Sequence, residues 1–362
     1  MRRTAPLFVL ASTLGVLACA DSPTNPAGPQ VESSPEQPPR VPATAALAFV
    51  STRDGAEHIY VANADGSEVT RVTQGSSPAW SWDGRKIALV REASSAGPAG
   101  IYVMNYDGSA LRYVGGGRSP AWSPDGRILF IEIHWGRTGV VNVMNADGSG
   151  VTQLYSRGAT TCAAWPCTIT LVPEAGAAAW SPGARSIAFR EGATVFRIDA
   201  DGSDLRALDE LPDLGSEPAW SPSGSRIAVV TDPGVWKICS WVPGSQPGPC
   251  RPGPGIGKSS VVYSYDLATG ARRVIPAIFP LSGAGAGNPD WSPDGSQLLF
   301  DLRDATLSCM GGGCPDAGSG GPRRIYTMSV ETGEVRRLIP EAVNPAVADY
   351  EDLDAVWSRV VR

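Results

Sequence analysis

The sequence predicts an all-β fold, a six-bladed β-propeller of four-stranded antiparallel blades whose ring is closed by a C-terminal strand that joins the first blade. Two interleaved repeats and the way they begin and end predict this fold. The first repeat, Ser77-Pro-Ala-Trp80-Ser-Trp-Asp-Gly, recurs around six tryptophans. A unit of about 40 residues with several short strands is typical of a propeller blade. The repeat tryptophans are Trp80, Trp122, Trp180, Trp220, Trp291 and Trp357.

The second repeat, Ile59-Tyr-Val-Ala-Asn-Ala-Asp65-Gly66, alternates with the first. Each unit therefore divides into four strands, a to d: strand a holds the tryptophan, and strand c is the Ile-Tyr-Val run. Ser-Pro-Asp-Gly and Asn-Ala-Asp-Gly are the a–b and c–d turns, because proline presets φ and glycine accepts a positive φ. The six copies begin at Ile59, Ile101, Val141, Val195, Val262 and Ile325.

The repeats begin and end in the middle of a blade. The first unit starts with its strand b at residues 46–50, and the last stops after a strand a at residues 355–358. We expect these two strands to pair, so that the C-terminal strand completes the first blade and closes a ring of six.

The repeat Pro-Ala-Trp-Ser-Pro-Asp-Gly, with its Ile-Tyr-Val and Asn-Ala-Asp-Gly elements, resembles the WD-like repeat of TolB-type propellers. The resemblance covers residues 45–362 and implies a role in an envelope complex. TolB itself carries an N-terminal α/β domain before its propeller. A short proline-rich segment stands in that place here.

The N-terminus is typical of an exported lipoprotein. Residues 1–18 combine a basic start with a short apolar run, the layout of a signal peptide. Val16-Leu17-Ala18-Cys19 resembles the lipobox of bacterial lipoproteins, which implies lipidation of Cys19 and attachment to a membrane. Ala20 favours the outer membrane by resemblance to enterobacterial sorting. An ordinary leader with a chance cysteine is the alternative.

Residues 19–44 form a predicted tether, and residues 45–362 form the propeller. The tether is rich in proline and has no apolar period, which predicts an extended, semi-rigid spacer. The net charge of −6 gives no basic face for nucleic acid. We expect a monomeric propeller without a cofactor.

Long insertions are predicted on one face. The a–b and c–d turns share the turn face, whereas the b–c and d–a loops share the opposite, loop-rich face. Insertions at residues 156–177, 232–259 and 303–323 fall in these loops, which favours binding there. Each insertion holds two cysteines, and disulfides within each loop are the simplest pairing in an oxidising compartment. These cysteines are Cys162 and Cys167, Cys239 and Cys250, and Cys309 and Cys314.

A zinc site is the alternative use of these cysteines. The chain has no Cys-x-x-Cys motif, and His58 and His134 are its two histidines. Zinc sites favour closely spaced cysteine and histidine ligands, so the pattern disfavours a metal.

Two groups of residues are candidates for ligand contact. Four tryptophans outside the repeat map to the loop-rich face, where they could stack on a sugar or contact a protein, or simply anchor their loops: Trp135, Trp165, Trp236 and Trp241. Acidic residues near the d–a loops could serve acid–base chemistry or remain solvated charges, with Glu217 and Asp290 as the leading candidates. The acidic set is Asp209, Glu210, Asp213, Glu217, Asp290, Asp349, Glu351, Asp352 and Asp354.

These patterns favour an envelope-anchored binding module that recognises a protein or glycan on the loop-rich face. A lyase or hydrolase that acts on polysaccharide through carboxylates at the channel mouth is an alternative. A component of a TolB-like envelope complex is another. Two histidines leave little for general-base or metal chemistry, so no catalytic, cofactor or metal residue is predicted.

Overall fold

A computed structural model describes residues 41–132, 139–156, 175–191, 194–210, 218–231, 237–239, 250–252, 261–275, 286–303, 322–343, 345–346 and 350–360. All of them lie in one compact unit, Pro38–Arg362. The predicted signal peptide, most of the tether and Cys19 lie outside the described residues. No helix long and apolar enough to cross a membrane occurs in the described ranges.

The described residues form 26 β-strands. The first half of the chain contributes β1 (Ala45–Ser51), β2 (His58–Asn63), β3 (Thr70–Gln74), β4 (Ser76–Trp80), β5 (Lys86–Arg91), β6 (Gly100–Asn105), β7 (Arg112–Gly115), β8 (Arg118–Trp122), β9 (Arg127–Glu132), β10 (Val140–Asn145), β11 (Thr152–Tyr155), β12 (Ala175–Trp180) and β13 (Ser186–Glu191). The second half contributes β14 (Thr194–Asp199), β15 (Arg206–Glu210), β16 (Ala219–Trp220), β17 (Arg226–Thr231), β18 (Lys237–Cys239), β19 (Cys250–Pro252), β20 (Val261–Asp266), β21 (Arg272–Ile275), β22 (Ala286–Trp291), β23 (Gln297–Arg303), β24 (Arg323–Ser329), β25 (Val335–Arg337) and β26 (Asp352–Trp357).

Six four-stranded antiparallel sheets form the blades of a propeller, which confirms the predicted fold. Blade 1 has the strand order β26-β1-β2-β3, and blades 2, 3 and 4 use β4 to β7, β8 to β11 and β12 to β15. Blade 5 has the order β16-β17-β20-β21, and blade 6 uses β22 to β25. A separate hairpin of β18 and β19 lies in the b–c connection of blade 5.

The C-terminal strand closes the ring as the repeats predict. β26 pairs antiparallel with β1, with Leu47 opposite Trp357 and Ser51 opposite Asp352. Ser358 extends the pairing through a hydrogen bond from its backbone N–H to the Ala46 carbonyl (2.7 Å). Blade 1 is therefore built from both ends of the repeat region.

A hydrophobic cluster with one repeat tryptophan fills each interface between blades. Trp291 packs with Val262 of blade 5 and Phe300 of blade 6, for example. Trp357 likewise packs with Leu47 of blade 1 and Leu299 of blade 6. The repeat tryptophans are therefore core residues, and the same arrangement recurs at the other four interfaces.

The Asp-Gly turns have the local chemistry that the sequence predicts. In the c–d turn of blade 3, the Asp147 carboxylate accepts a hydrogen bond from the Ser149 backbone N–H (2.9 Å), and Gly148 adopts a φ of 90°. A Cβ atom on Gly148 would lie 2.0 Å from the Val114 carbonyl oxygen of blade 2. The turn therefore needs glycine both for its backbone conformation and for contact with the neighbouring blade.

Candidate functional site

The innermost strands of the six blades surround a central channel. They are β26, β4, β8, β12, β16 and β22, and the cavity that they enclose has a volume of about 420 Å³. Proline, alanine and tryptophan residues form most of its wall. Polar residues also line the channel: Ser77, Ser119, Asn288, Asp290, Asp354 and Arg359. An apolar cavity with a few polar groups is the usual form of a small-ligand site.

Four of the polar lining residues share one unusual backbone position. Ser77, Ser119, Asn288 and Asp354 have φ between 49° and 51°, and each lies three residues before a repeat tryptophan. The β-sheet register shifts beside each of them, as in a β-bulge. Left-handed backbone is costly for residues other than glycine, so the repeat holds four polar side chains at one level of the channel at an energetic cost.

Asp354 is the ionisable residue among these four, and its pKa is raised. Its Oδ1 accepts a hydrogen bond from Asn288 Nδ2 (2.8 Å), and the nearby Ser77 backbone N–H favours the ionised form. Burial raises the pKa of Asp354 to about 6, and the nearby carboxylates of Asp301 and Glu57 add to this rise, whereas Arg323 opposes it. The carboxylate is therefore ionised at neutral pH at an energetic cost.

A buried ion pair lies next to Asp354. Arg323 Nη1 donates a hydrogen bond to Asp301 Oδ2, and the Asp301 side chain is fully buried. Within the described part of the chain, Asp301 Oδ1 has no hydrogen-bond partner, and burial raises the pKa of this carboxyl. Asp301 Oδ1 lies 3.1 Å from the position that a Cβ on Gly287 would occupy, beside the innermost strand of blade 6.

Asp290, a predicted ligand residue, forms part of the ring closure. Arg359 Nη2 lies 2.5 Å from Asp290 Oδ1, and the Trp357 backbone N–H donates to Asp290 Oδ2 at 2.8 Å. Arg359 also donates to the Trp291 carbonyl oxygen (2.8 Å). Asp290 thus joins blade 6 to the closing strand, and its contact with a ligand stays a prediction.

The alternative reading of the acidic residues, as solvated loop charges, is wrong for two of them. Asp290 and Asp352 are both buried. Asp352 pairs with Arg53, whose Nη2 lies 2.7 Å from Asp352 Oδ1. Their burial follows from ring closure, which brings their partners from distant parts of the chain.

Most of the predicted ligand and disulfide residues lie outside the described residues. They are Trp135, Trp165, Trp236, Trp241, Glu217, Cys162, Cys167, Cys309 and Cys314. Cys239 and Cys250 lie directly opposite each other on β18 and β19. Among the residues that the structure describes, no three histidine, cysteine or acidic side chains are placed to hold a metal ion.

The contact between Asp354 and Asn288 was not predicted from the sequence. The signal was the residue three positions before each tryptophan, which is serine in blades 2 and 3 but Asn288 in blade 6 and Asp354 in blade 1. Their adjacency depends on ring closure, which places β26 beside β22.

Comparisons with known proteins agree with this architecture. The family model described as the TolB β-propeller domain matches residues 30–169. The Tol-Pal system protein TolB of Alcanivorax borkumensis is 33% identical over 106 residues, which cover 29% of this chain and 18% of that protein. The uncharacterized peptidase YuxL of Bacillus subtilis is 30% identical over 135 residues, which cover 33% of this chain and 20% of that protein. The chain thus spans about a fifth of the length of these two relatives.

A solved structure extends the likeness to the whole ring. TolB from Acinetobacter baumannii superposes with a TM-score of 0.58 at 19% identity, over 87% of this chain and 66% of that one. At this identity the likeness concerns the fold. The chain is a six-bladed β-propeller with an apolar, carboxylate-bearing channel. Its repeats, together with these matches, make it a TolB-like propeller.

Proposed function

We propose that this protein is an exported binding module of the bacterial cell envelope, held to the membrane through a lipid on Cys19. It acts as a monomeric propeller and recognises an envelope protein or a glycan with its loop-rich face and the adjoining channel mouth. The observation that carries this proposal is the rigid ring with a preformed channel, and the sequence prediction that the long insertions share one face supports it. The similarity to a Tol-Pal system protein supports an envelope role.

The extra hairpin of blade 5 supports recognition by the loop-rich face. β18 and β19 pair antiparallel inside the b–c connection, so this insertion has regular structure of its own. A hairpin that is already paired can present a surface with little loss of conformational entropy on binding.

Partner capture from envelope extract tests the face assignment. One variant has residues 237–252 replaced by a short Gly-Ser linker, and the matched control is Asp107→Asn on the turn face. We expect the first variant to lose the partners that the unaltered protein recovers, and the control to keep them. Equal recovery by all three proteins contradicts recognition through the loop-rich face.

Lipid attachment is tested separately. Cells that express the protein are labelled with a fatty acid that carries an alkyne, and Cys19→Ala is the comparison. We expect label and membrane association in the unaltered protein and neither in the variant. Labelling that survives Cys19→Ala contradicts the anchor and leaves partner recognition unaffected.

A polysaccharide-acting lyase or hydrolase is the second candidate. Asp354 favours it, because a channel carboxyl with a pKa of about 6 is suited to proton transfer near neutral pH. Envelope glycans incubated with the protein and with Asp354→Asn test this function. Release of products by the unaltered protein, abolished in a folded Asp354→Asn variant, would establish an enzyme. Stable glycan binding without products supports the binding module.

A further inference from the structure

We propose that the central channel binds an organic ammonium group, with an apolar stem against the alanine and proline walls and its charge at the Asp354 carboxylate. This proposal goes beyond the proposed function because it names the chemical group that the channel itself binds. A free amine and a lysine side chain of a bound polypeptide both offer this group.

The size and lining of the channel fit such a ligand. Its volume of about 420 Å³ lies within the roughly 300–1,000 Å³ of small-molecule sites. Pro78, Pro120, Pro218 and Pro289 recur around the wall. They offer apolar contact to an alkyl chain and no N–H donor that would compete for the carboxylate.

The charges of the channel favour a cation. Asp290 is already paired with Arg359 and accepts the Trp357 backbone N–H. Asp354 accepts a hydrogen bond from the Asn288 amide, but it has no ion pair with any lysine or arginine in the described ranges. Arg323, the nearby cation, binds Asp301. A carboxylate without a counter-ion in a poorly solvated cavity is costly, and a bound cation removes that cost.

The neighbouring groups strengthen the negative potential at Asp354. Asp301 and Glu57 both raise the pKa of Asp354 through their negative charge. Asp301 keeps one buried oxygen without a partner among the described residues. The groups that face Asp354 are therefore Asp301, Glu57, Arg323, Asn288 and the Ser77 backbone, and two of the three ionisable ones are carboxylates.

The surrounding acceptors match the three donors of an ammonium group. Asn288 donates its amide nitrogen to Asp354, which leaves its carbonyl oxygen as an acceptor. Ser77 brings a hydroxyl from the innermost strand of blade 2. β22, β26 and β4 come from blades 6, 1 and 2, and the left-handed backbone of Asn288, Asp354 and Ser77 sets these three side chains at equivalent positions. The site is therefore preorganised.

Calorimetric titration of the purified full chain tests the proposal. The probes are n-pentylammonium chloride, the peptide acetyl-Gly-Lys-Gly-amide, the neutral analogue 1-pentanol and calcium chloride. At pH 8 we expect at least one of the two amines to bind at least tenfold more tightly than 1-pentanol. Binding of pentylammonium assigns the site to free amines, whereas binding of the peptide alone assigns it to a partner's lysine. Binding of calcium without either amine overturns the proposal.

Two further measurements identify the residue. Asp354→Asn, which keeps the acceptor for Asn288, should weaken amine binding at least tenfold, and Asp107→Asn on the turn face should leave it unchanged. In the unaltered protein, binding at pH 5 should be about tenfold weaker than at pH 8, because a carboxyl with a pKa of about 6 is then mostly protonated. The pH dependence decides the question if Asp354→Asn does not fold. Binding that does not change with pH or with the variant overturns the proposal.

Discussion

Arg53 Nη2 lies 2.7 Å from Asp352 Oδ1, although 299 residues separate them along the chain. The Arg53 guanidinium also lies over the Tyr60 ring, 4.9 Å from its centroid, and 5.4 Å from that of Tyr350. Arg53 follows β1 and Asp352 begins β26, so this ion pair joins the two strands that close the ring. Ring closure therefore combines backbone pairing with a buried charge pair.

Replacement of Asp352 by alanine should destabilise the protein strongly. The change leaves the Arg53 guanidinium buried without its counter-charge, and loss of one partner of a buried pair costs about 3–5 kcal/mol. Chemical denaturation measures the free energy of unfolding. Glu334→Ala is the matched control, because its exposed pair with Arg336 should contribute less than about 1 kcal/mol. Equal effects of the two variants would show that the Arg53 pair does not hold the closing strand.

Two glycines with nearly the same backbone conformation should respond differently to alanine. Gly148 and Gly126 have φ of 90° and 86°. A Cβ on Gly148 would lie 2.0 Å from the Val114 carbonyl oxygen, whereas a Cβ on Gly126 would meet nothing within 4 Å.

Gly126→Ala should therefore cost about 1–2 kcal/mol for the left-handed backbone alone. Gly148→Ala should cost a further 1–3 kcal/mol or so, because the two blades must move apart. Thermal unfolding of both variants measures the difference. Equal costs would show that the turn does not need close contact with the neighbouring blade.

The stability of the protein should depend on the ionisation of Asp354. Its pKa is about 6 in the folded protein, whereas that of an aspartate in the unfolded chain is 3.8, so folding favours the protonated form. Ionisation of Asp354 therefore lowers the free energy of unfolding. This loss of stability is absent below about pH 4, grows as the pH rises and is complete above about pH 6.

Asp354→Asn should remove this dependence. We compare the free energy of unfolding of Asp354→Asn with that of the unaltered protein. This difference should be up to about 2 kcal/mol more favourable to the variant at pH 8 than at pH 4. Unfolding at both pH values measures the change, with Asp107→Asn as the control on the turn face. The same pH dependence in Asp354→Asn and in the unaltered protein would contradict the burial of an ionised Asp354.

Cys239 and Cys250 should form a disulfide in an oxidising compartment. Directly opposite residues of antiparallel strands have Cα atoms about 4.5–5.5 Å apart, within the roughly 4.4–6.8 Å of disulfides. Peptide mapping by mass spectrometry without reductant should recover residues 239 and 250 in one linked species. Linkage of Cys239 to a cysteine of another insertion would contradict pairing within each loop.

The fold could be predicted from the sequence because blade formation is largely local. Turn residues such as Asp147 and Gly148 act within a few positions, and the c–d repeat carries Asp-Gly four times and Thr-Gly twice. β26 nevertheless begins at Asp352, three residues before the predicted start, because residues 352 and 353 pair with the far end of β1. That extension depends on a partner strand from the other end of the repeats.

The candidate site could be predicted only in part. Asp290 was predicted as a ligand residue because it is acidic and lies near a d–a loop. Its role in ring closure depends on Arg359, which lies 69 residues further along the chain. The pairing of Asn288 with Asp354 spans 66 residues and requires left-handed backbone at two residues other than glycine. Periodicity and turn chemistry describe neither of these relationships.

The pairing of β1 with β26 also has a consequence for folding kinetics. Blades 2 to 6 consist of strands that are close in sequence, so each can form as soon as its own residues are free to fold. Blade 1 must wait for residues 352–357, and a contact of such long range is slow to form. Until then β1 has an unpaired edge that can recruit another chain. The period before closure is therefore when folding molecules are most prone to aggregate and most dependent on chaperones.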